Sequence, residues 1–194
     1  MLMDREGYNV YFSGVTGKRR DGVGIAVTKK WIVESVFSIN PRMMYISVLT
    51  PHTPMIIFSV YAPTEPKNPI SGMEEVYADT EIFYKQLQTA LDSVPGKSNR
   101  NIIILGDFNA RVGLPVIDPT DPIQSVLGVY GNRQTSDNGV ALIDFCYRNN
   151  FIIANTFFRR SEYGTWHDPK DGVGVYRNAI DHVLVYQNEG RNGL

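Results

Sequence analysis

Segments with the length and pattern of β-strands recur along this chain of 194 residues, whereas only two segments have helical periodicity. The strand-like segments alternate apolar and polar residues, or are rich in β-branched and aromatic residues. Most connections between them are too short for the crossover helices that a doubly wound parallel sheet needs. The order of elements therefore predicts an α/β chain with α+β-like mixed order and antiparallel pairing. The predicted strands are residues 8–14, 22–28, 31–39, 44–49, 55–61, 101–105, 151–157 and 180–186.

Two helices interrupt the predicted strands. Apolar residues recur at helical spacing over residues 80–94, where Asp79 is the expected cap. A second helix is predicted over residues 140–148, after a Ser-Asp-Asn sequence that can cap it. The chain has no fixed-period repeat and no linker-like change in composition, so we predict a single domain over residues 1–194.

Composition limits the classes of protein to consider. With 19 Lys and Arg against 20 Asp and Glu, the formal net charge is −1, so a wholly basic nucleic-acid-binding surface is not expected. A local basic face remains open. The single cysteine, Cys146, can form neither an internal disulfide nor a CxxC zinc site. No signal-peptide pattern and no apolar run of about 20 residues is found. We therefore predict an intracellular domain without a membrane partner, with the nucleus as one compartment open to it.

The strongest local signal for chemistry is Gly106-Asp107-Phe108-Asn109, which follows the apolar run of residues 101–105. Residues i and i+2 of a strand face the same way, so Asp107 and Asn109 can project together beyond the sheet edge. A carboxylate can accept a proton from water while a carboxamide holds the water or a phosphate oxygen. The alternative is an ordinary Asp/Asn turn in which both side chains bond their own backbone.

A second signal is Asp181 within the apolar segment of residues 180–185. A lone buried carboxylate is costly, so we expect Asp181 to be paired or hydrogen-bonded, for example to a histidine that it orients. The adjacent His182 is a poor partner, because successive strand residues face opposite sides of a sheet. We interpret His182 as a half-buried strand residue.

Further candidates lie at strand ends and in loops. Tyr61 ends a predicted strand, where a phenol can donate a hydrogen bond to a phosphate oxygen, although it also reads as an ordinary strand-end aromatic. Trp166, after Thr165, can stack on a base, although a lone Trp usually belongs to the core. Arg20 belongs to one of several short basic runs that can touch phosphates if the fold gathers them at one rim.

Six segments in order resemble the endonuclease/exonuclease/phosphatase superfamily, and most closely the apurinic-type endonuclease domains of non-LTR retrotransposons. They are SVYAPT, IIILGDFNA, SDNGVALIDFC, FIIANTFF, GTW and AIDHVLV. The resemblance covers nearly the whole chain. It implies a four-layer sandwich of two mixed β-sheets flanked by helices, with magnesium-dependent hydrolysis of phosphodiester bonds in DNA.

The resemblance also implies roles for matching residues. Asp107 corresponds to the aspartate that activates or aligns the attacking water, and Asn109 to the asparagine that holds nucleophile and phosphate. Tyr61 matches a phosphate-contacting tyrosine, and Asp181 an aspartate that orients the catalytic histidine. The pair Thr165-Trp166 falls where a DNA-facing loop and strand lie.

Two of the family's elements have no match in residues 1–194. These are the strand that ends in the glutamate serving as main metal ligand, and the Ser-Asp-His segment that carries the catalytic histidine. We therefore expect a fold that is incomplete at both termini, a metal site of unknown ligands, and weak or lost activity. A non-catalytic nucleic-acid- or protein-binding module on the same scaffold is the alternative. An enzyme acting on a small phosphorylated substrate is a third possibility, which the ANTFF and DNGVALIDFC segments disfavour.

Overall fold

The computed structural model describes residues 2–14, 22–65, 73–97, 100–113, 125–132, 134–159, 164–166 and 178–187. These ranges contain nine β-strands and two α-helices. In chain order they are β1 (Leu2–Arg5), β2 (Tyr8–Gly14), β3 (Gly22–Thr28), β4 (Ile32–Asn40), β5 (Met43–Leu49), β6 (Pro54–Tyr61), α1 (Met73–Asp92), β7 (Asn101–Asp107), α2 (Asp137–Arg148), β8 (Phe151–Ile153) and β9 (Asp181–Tyr186). The chain divides into two compact units: Met1–Tyr61 with Lys85–Gly106 (unit 1), and Ala62–Tyr84 with Asp107–Leu194 (unit 2). The single domain expected from the sequence stays a prediction.

Unit 1 contains two groups of paired strands. The first is the antiparallel sheet β1-β2-β3, in which Tyr8 lies opposite Thr28 and Gly14 opposite Gly22. The second runs in the order β4-β5-β6-β7, with β5 antiparallel to both β4 and β6. Short connections between consecutive strands favour this antiparallel pairing, as the sequence predicted.

The core of unit 1 forms where these two groups of strands face each other. Apolar side chains of β3 pack against those of β5 and β6, which removes both faces from water and supplies most of the stabilisation. The buried cluster consists of Val23, Val27, Met44, Ile46, Val48 and Ile57. In α1, Leu87 and Leu91 are fully buried at helical spacing, so the apolar stripe read from the sequence is the buried face.

Unit 2 is built around α2 and the antiparallel pair β8–β9. Ser136 caps α2, and its side-chain oxygen accepts the Gly139 N–H at 3.3 Å. The helix buries Leu142 and Cys146 completely. Phe145 of α2 stacks on Phe151 of β8, with ring centroids 6.2 Å apart. Burial raises the pKa of the Cys146 thiol far above its ordinary value, so this cysteine packs as a small apolar residue.

Several boundaries differ from the sequence prediction. Helix α1 begins at Met73, so Asp79 lies inside the helix and its predicted capping role is wrong. Strand β1 was not predicted, because Leu2–Arg5 offers no apolar run; backbone pairing with β2 forms it. In β7, Ile102 and Ile104 are fully buried, whereas Leu105 is 38% exposed.

The predicted strand over residues 151–157 is wrong beyond Ile153. Residues Ala154–Thr156 form a 3₁₀ turn, and the Thr156 hydroxyl donates to the Ile153 carbonyl at 2.6 Å. The same hydroxyl accepts the Gly128 N–H at 2.8 Å. These side-chain bonds compete with strand pairing and end the ladder, although the apolar residues continue.

Candidate active site

The turn after β7 carries the first two candidate residues. Asp107 Oδ1 accepts the backbone N–H of Asn109 at 2.8 Å, which is the bond of an Asx turn. Asn109 has a φ of 47°, in the left-handed region that asparagine tolerates better than most residues. For Asp107, the turn that the sequence left open as an alternative is therefore present, and it uses only one of the two carboxylate oxygens.

Asn109 does not bond its own backbone as that alternative required. Its side-chain Nδ2 donates instead to the Ala62 carbonyl at 2.8 Å, and the Ala62 N–H donates to the Asp107 carbonyl at 2.8 Å. Phe108, between the two polar residues, is fully buried. The Phe108 side chain therefore anchors the turn in the core, and hydrogen bonds hold the Asp107 carboxylate before it and the Asn109 carboxamide after it.

The glycine before this turn packs closely against the neighbouring strand. Gly106 has a φ of 158°, and a Cβ at this position would overlap the Val60 carbonyl oxygen of β6. A side chain is thus excluded by the neighbouring strand of unit 1, so Gly106 is required by backbone packing.

Asp181 lies beside the turn in unit 2. The Phe108 N–H donates to the Ile180 carbonyl at 3.0 Å, which brings the start of β9 to residues 107–109. Burial raises the pKa of the Asp107 carboxyl, the Asn109 N–H opposes this, and the negative charge of Asp181 raises it further. The two carboxylates are therefore close enough to sense each other's charge.

Asp181 is exposed, so the expectation of a buried, paired carboxylate is wrong. It is the first residue of β9, where water can hydrate its charge, and no partner is required to offset burial. Its backbone is nevertheless fixed. The Thr165 Oγ1 accepts the N–H groups of Ile180 at 3.1 Å and of Asp181 at 3.2 Å.

His182 faces the opposite side of β9 from Asp181, as strand alternation predicted, but it is buried rather than half-buried. Its Nε2 donates to the Ala110 carbonyl at 2.8 Å, and its Nδ1 accepts the Asn155 amide at 3.2 Å. Burial lowers the pKa of His182, although the Ala110 bond and the charge of Asp181 oppose this. These partners hold a neutral imidazole with its proton on Nε2.

Trp166 is 42% exposed and does not belong to the core. It pairs with Asn178 in an isolated antiparallel bridge, and the Thr165 and Trp166 N–H groups both donate to the Asn178 carbonyl, at 2.8 and 2.9 Å. Thr165 is itself exposed, but its hydroxyl is directed to the backbone at the start of β9. The two residues thus differ: one presents an aromatic face to solvent, and the other fixes the strand that begins with Asp181.

Tyr61 is the last residue of β6 in unit 1, where its N–H donates to the Arg42 carbonyl at 2.9 Å. The Arg42 guanidinium lies over the Tyr61 ring, 4.9 Å from its centroid, in a cation–π contact. The sequence reading did not select Arg42, since its pairing with Tyr61 depends on strand register. Arg20 lies outside the described residues.

Two asparagines were also missed, of which Asn138 is buried and Asn155 is partly buried. Asn155 donates to His182 and accepts the Val183 N–H at 3.2 Å, and Asn138 bonds the Asn109 carbonyl at 3.1 Å. Both lie in segments that carried the family resemblance, FIIANTFF and SDNGVALIDFC, and for Asn155 the available signal was an asparagine after an apolar run.

Within the described ranges, no three His, Cys, Asp or Glu side chains come together as a metal-binding group. The candidate oxygen donors at the turn are two carboxylates, Asp107 and Asp181. Of the helices described, none is long and apolar enough to cross a membrane.

The chain has the α/β sandwich fold of endonuclease/exonuclease/phosphatase proteins, and the predicted fold class of two mixed β-sheets with helices is confirmed. Among solved structures, the endonuclease domain of TRAS1, a telomere-specific non-LTR retrotransposon, matches 95% of this chain and 69% of its own, at 16% identity and a TM-score of 0.58. The 3′ phosphatase NExo from Neisseria, bound to a product DNA hairpin, matches 93% of this chain and 67% of its own, at 16% identity and 0.58. TDP2 of D. rerio, complexed with a single-strand DNA product, matches 96% of this chain and 65% of its own, at 11% identity and a TM-score of 0.55. At these identities the likeness establishes the fold alone.

Sequence comparison with curated proteins finds two relatives. Craniofacial development protein 2 of Tragulus javanicus and that of Bos taurus are each 29% identical to the chain over 190 residues, which is 95% of its length. The chain spans only about 30% of the length of these curated relatives. No protein-family profile matches the chain.

Proposed function

We propose that this chain carries the phosphate-handling site of a magnesium-dependent phosphodiesterase that cuts DNA, of the kind encoded by non-LTR retrotransposons. The observation that carries the proposal is the hydrogen bond from the Phe108 N–H to the Ile180 carbonyl, which holds the Asp107–Asn109 turn next to the start of β9, where the charge of Asp181 acts on Asp107. The DNA products held by NExo and TDP2 support DNA as the substrate class. Such a substrate in turn favours a nuclear site of action.

Asp107 and Asp181 fit a magnesium ion in charge and in donor type. Mg²⁺ prefers oxygen and is commonly bound through one or two carboxylates while it keeps several waters. Burial disfavours the charge on Asp107, and Asp181 repels it, so a divalent cation relieves both penalties. When bound, the ion neutralises charge on the phosphate and makes a nearby water more acidic.

The chain's own residues divide the remaining work. The Asx turn uses only one oxygen of the Asp107 carboxylate, which leaves the other suited to align or deprotonate the attacking water. Asn109 uses one Nδ2 proton on the Ala62 carbonyl, and its second proton can hold a phosphate oxygen. Trp166 has the exposure needed to stack on a base. The proposed phosphate contacts of Tyr61 and Arg20 stay predictions.

We expect residues 1–194 by themselves to cleave weakly or not at all. The family's metal-binding glutamate and its Ser-Asp-His segment have no match in this sequence. Removing a single electrostatic donor from such a site typically lowers the rate about 100- to 1000-fold. Robust nicking of plasmid by this chain, abolished by Asp107→Ala, would contradict the expected weak activity and support the reaction class.

DNA binding with and without Mg²⁺ tests the site independently of turnover. Mg²⁺ should tighten binding of a labelled DNA hairpin by the wild type, and this gain should disappear in Asp107→Asn and Asp181→Asn. Asp144→Asn is the matched control, since Asp144 is exposed on α2 and pairs with Arg148. The same magnesium effect in all four proteins would refute the proposed site.

The alternative is a binding module without catalysis, which the exposed Trp166 and Phe158 favour. In that case binding should weaken with salt, stay unchanged in Asp107→Ala, and weaken in Trp166→Ala. The same binding panel should include an inositol phosphate and an abasic duplex. Preference for the inositol phosphate would indicate an enzyme acting on a small phosphorylated substrate, and not a DNA endonuclease or a DNA-binding module.

A further inference from the structure

Asn138, the second residue of α2, is only 4% exposed and bonds three separate segments of unit 2. Its side-chain Nδ2 donates to the Pro63 carbonyl at 2.9 Å and to the Asn109 carbonyl at 3.1 Å. Its Oδ1 accepts the Thr80 hydroxyl at 3.1 Å. Its backbone N–H donates to Glu65 at 2.8 Å. Both amide protons and the amide oxygen are therefore in use.

Only an asparagine side chain meets this demand at this reach. Both Pro63 and Asn109 present carbonyl oxygens, which accept and cannot donate, whereas Thr80 presents a hydroxyl that can donate. Aspartate keeps the acceptor but loses both donors, and it places a negative charge beside two carbonyls. Alanine leaves all three partners without this bond, which is costly for buried groups.

The two carbonyls that Asn138 holds belong to the two segments that define the pose of the Asn109 side chain. Asn138 bonds the Asn109 carbonyl, and Asn109 in turn bonds the carbonyl of Ala62, the residue before Pro63. The donor and the acceptor of the Asn109 side-chain bond are thus tied to one buried amide.

We propose that Asn138 is a positioning residue, which sets the orientation of the Asn109 carboxamide relative to Asp107 without touching the substrate. The role of Asn109 toward phosphate rests on the proposed function, but its orientation does not. Asn138 therefore explains a chemical requirement at the start of α2, beyond the cap that Ser136 supplies.

NMR of the full chain tests this orientation without any substrate. In Asn138→Asp and Asn138→Ala, the Asn109 side-chain amide signals should shift, and their hydrogen exchange should accelerate about tenfold or more, as expected when a buried hydrogen bond is lost. Asn149→Asp is the matched control: Asn149 bonds the Phe145 carbonyl at 3.0 Å at the other end of the same helix, and Asn109 should not respond.

A milder change covers the case in which both Asn138 variants fail to fold. Thr80→Val removes only the hydroxyl that holds the Asn138 Oδ1, so Asn109 should shift in the same direction by a smaller amount. Unchanged Asn109 signals in the folded Asn138 variants, or in Thr80→Val where those do not fold, would overturn the proposal.

A double-mutant cycle separates positioning from a purely structural role. With a single-stranded oligonucleotide and Mg²⁺, Asn138→Asp should weaken binding about tenfold in the wild type but add nothing once Asn109→Ala is present. Multiplying losses would mean that Asn138 acts through general stability, and would overturn the proposal. If the wild type binds no DNA, the proposed function fails, and the NMR result alone decides the role of Asn138.

Discussion

Replacing Gly139 by alanine should destabilise this protein, although the change favours helix formation. Gly139 is the third residue of α2, and alanine at an exposed helix position is about 1 kcal/mol more favourable than glycine. Here, however, a Cβ would overlap the Arg111 carbonyl oxygen. It would also lie 2.8 Å from the Thr135 Cγ2, whereas ordinary contact begins at 3.4 Å. The helix and the segment that follows Asn109 must therefore move apart.

That movement breaks specific hydrogen bonds. The Ser136 N–H donates to the Arg111 carbonyl at 3.0 Å, the Arg111 N–H to the Ser136 Oγ at 3.2 Å, and Asn138 to the Asn109 carbonyl at 3.1 Å. A displacement of about half an ångström takes all three to the limit of hydrogen bonding. At about 1 kcal/mol each, the loss is about 3 kcal/mol, so the net destabilisation is about 2 kcal/mol.

Urea denaturation followed by circular dichroism measures this difference. For a chain of this length, 2 kcal/mol corresponds to a melting temperature lower by about 4–8 °C. Val140→Ala is the control, since Val140 is the next residue and is 60% exposed; it should change stability by no more than about 0.5 kcal/mol. If Gly139→Ala is as stable as the wild type or more stable, helix propensity prevails and the close packing on Arg111 is refuted.

Three further predictions concern single polar groups. Tyr84→Phe should raise stability by up to about 1 kcal/mol in urea denaturation, because the buried Tyr84 hydroxyl has no hydrogen-bond partner among the described residues; a destabilised variant would contradict this. Asp107→Asn should be more stable than the wild type at pH 7 in EDTA. Burial raises the pKa of Asp107, so the wild type loses stability as pH rises through that raised value, and the two proteins should become equally stable below pH 3.8. A stability difference that does not change with pH would refute burial of the Asp107 charge as its cause. Glu34→Gln should flatten the acid limb of the stability curve, because the Arg100 hydrogen bond lowers the pKa of Glu34 below 4.5 and its contribution is lost as pH falls through the lowered value; an unchanged limb would exclude this pair as its source.

The parts of the fold that the sequence predicted well are those where burial alone decides the structure. Strands β2 and β3 have the predicted bounds, because alternation of apolar residues marks their buried face directly. Helix α1 extends seven residues before its predicted start at residue 80, because apolar periodicity marks where a helix packs and not where its backbone bonds begin. The end of β8 at Ile153 depends on Gly128, which is distant in sequence, so no local pattern contains it.

The candidate site divides in the same way. The local turn at Asp107 and Asn109 was open to sequence reasoning, because its bond joins residues two apart. The exposure of Asp181 could not be predicted from the sequence, since an apolar segment does not show at which residue its strand begins. The Asn138 and Asn155 contacts reach residues between 26 and 75 positions away, and pairing at that range follows from the fold.

Three of the residues that hold this site are neutral, and this has an electrostatic consequence. Asn138, His182 and Thr165 all bond to backbone groups near Asp107 and Asp181, and none of them bonds to either carboxylate. An arginine or lysine in place of Asn138 or His182 could donate to the same carbonyls, but its positive charge near the two carboxylates would lower the pKa of Asp107. It would also offset the negative charge that attracts a divalent cation. Neutral support therefore fixes the backbone while it leaves the two carboxylates repelling each other, which is the arrangement that the proposed magnesium site requires. Introducing a positive charge at the exposed position 165 by Thr165→Lys should accordingly weaken the magnesium-dependent gain in DNA binding more than Thr165→Val does. Equal gains in the two variants would argue against the electrostatic reasoning.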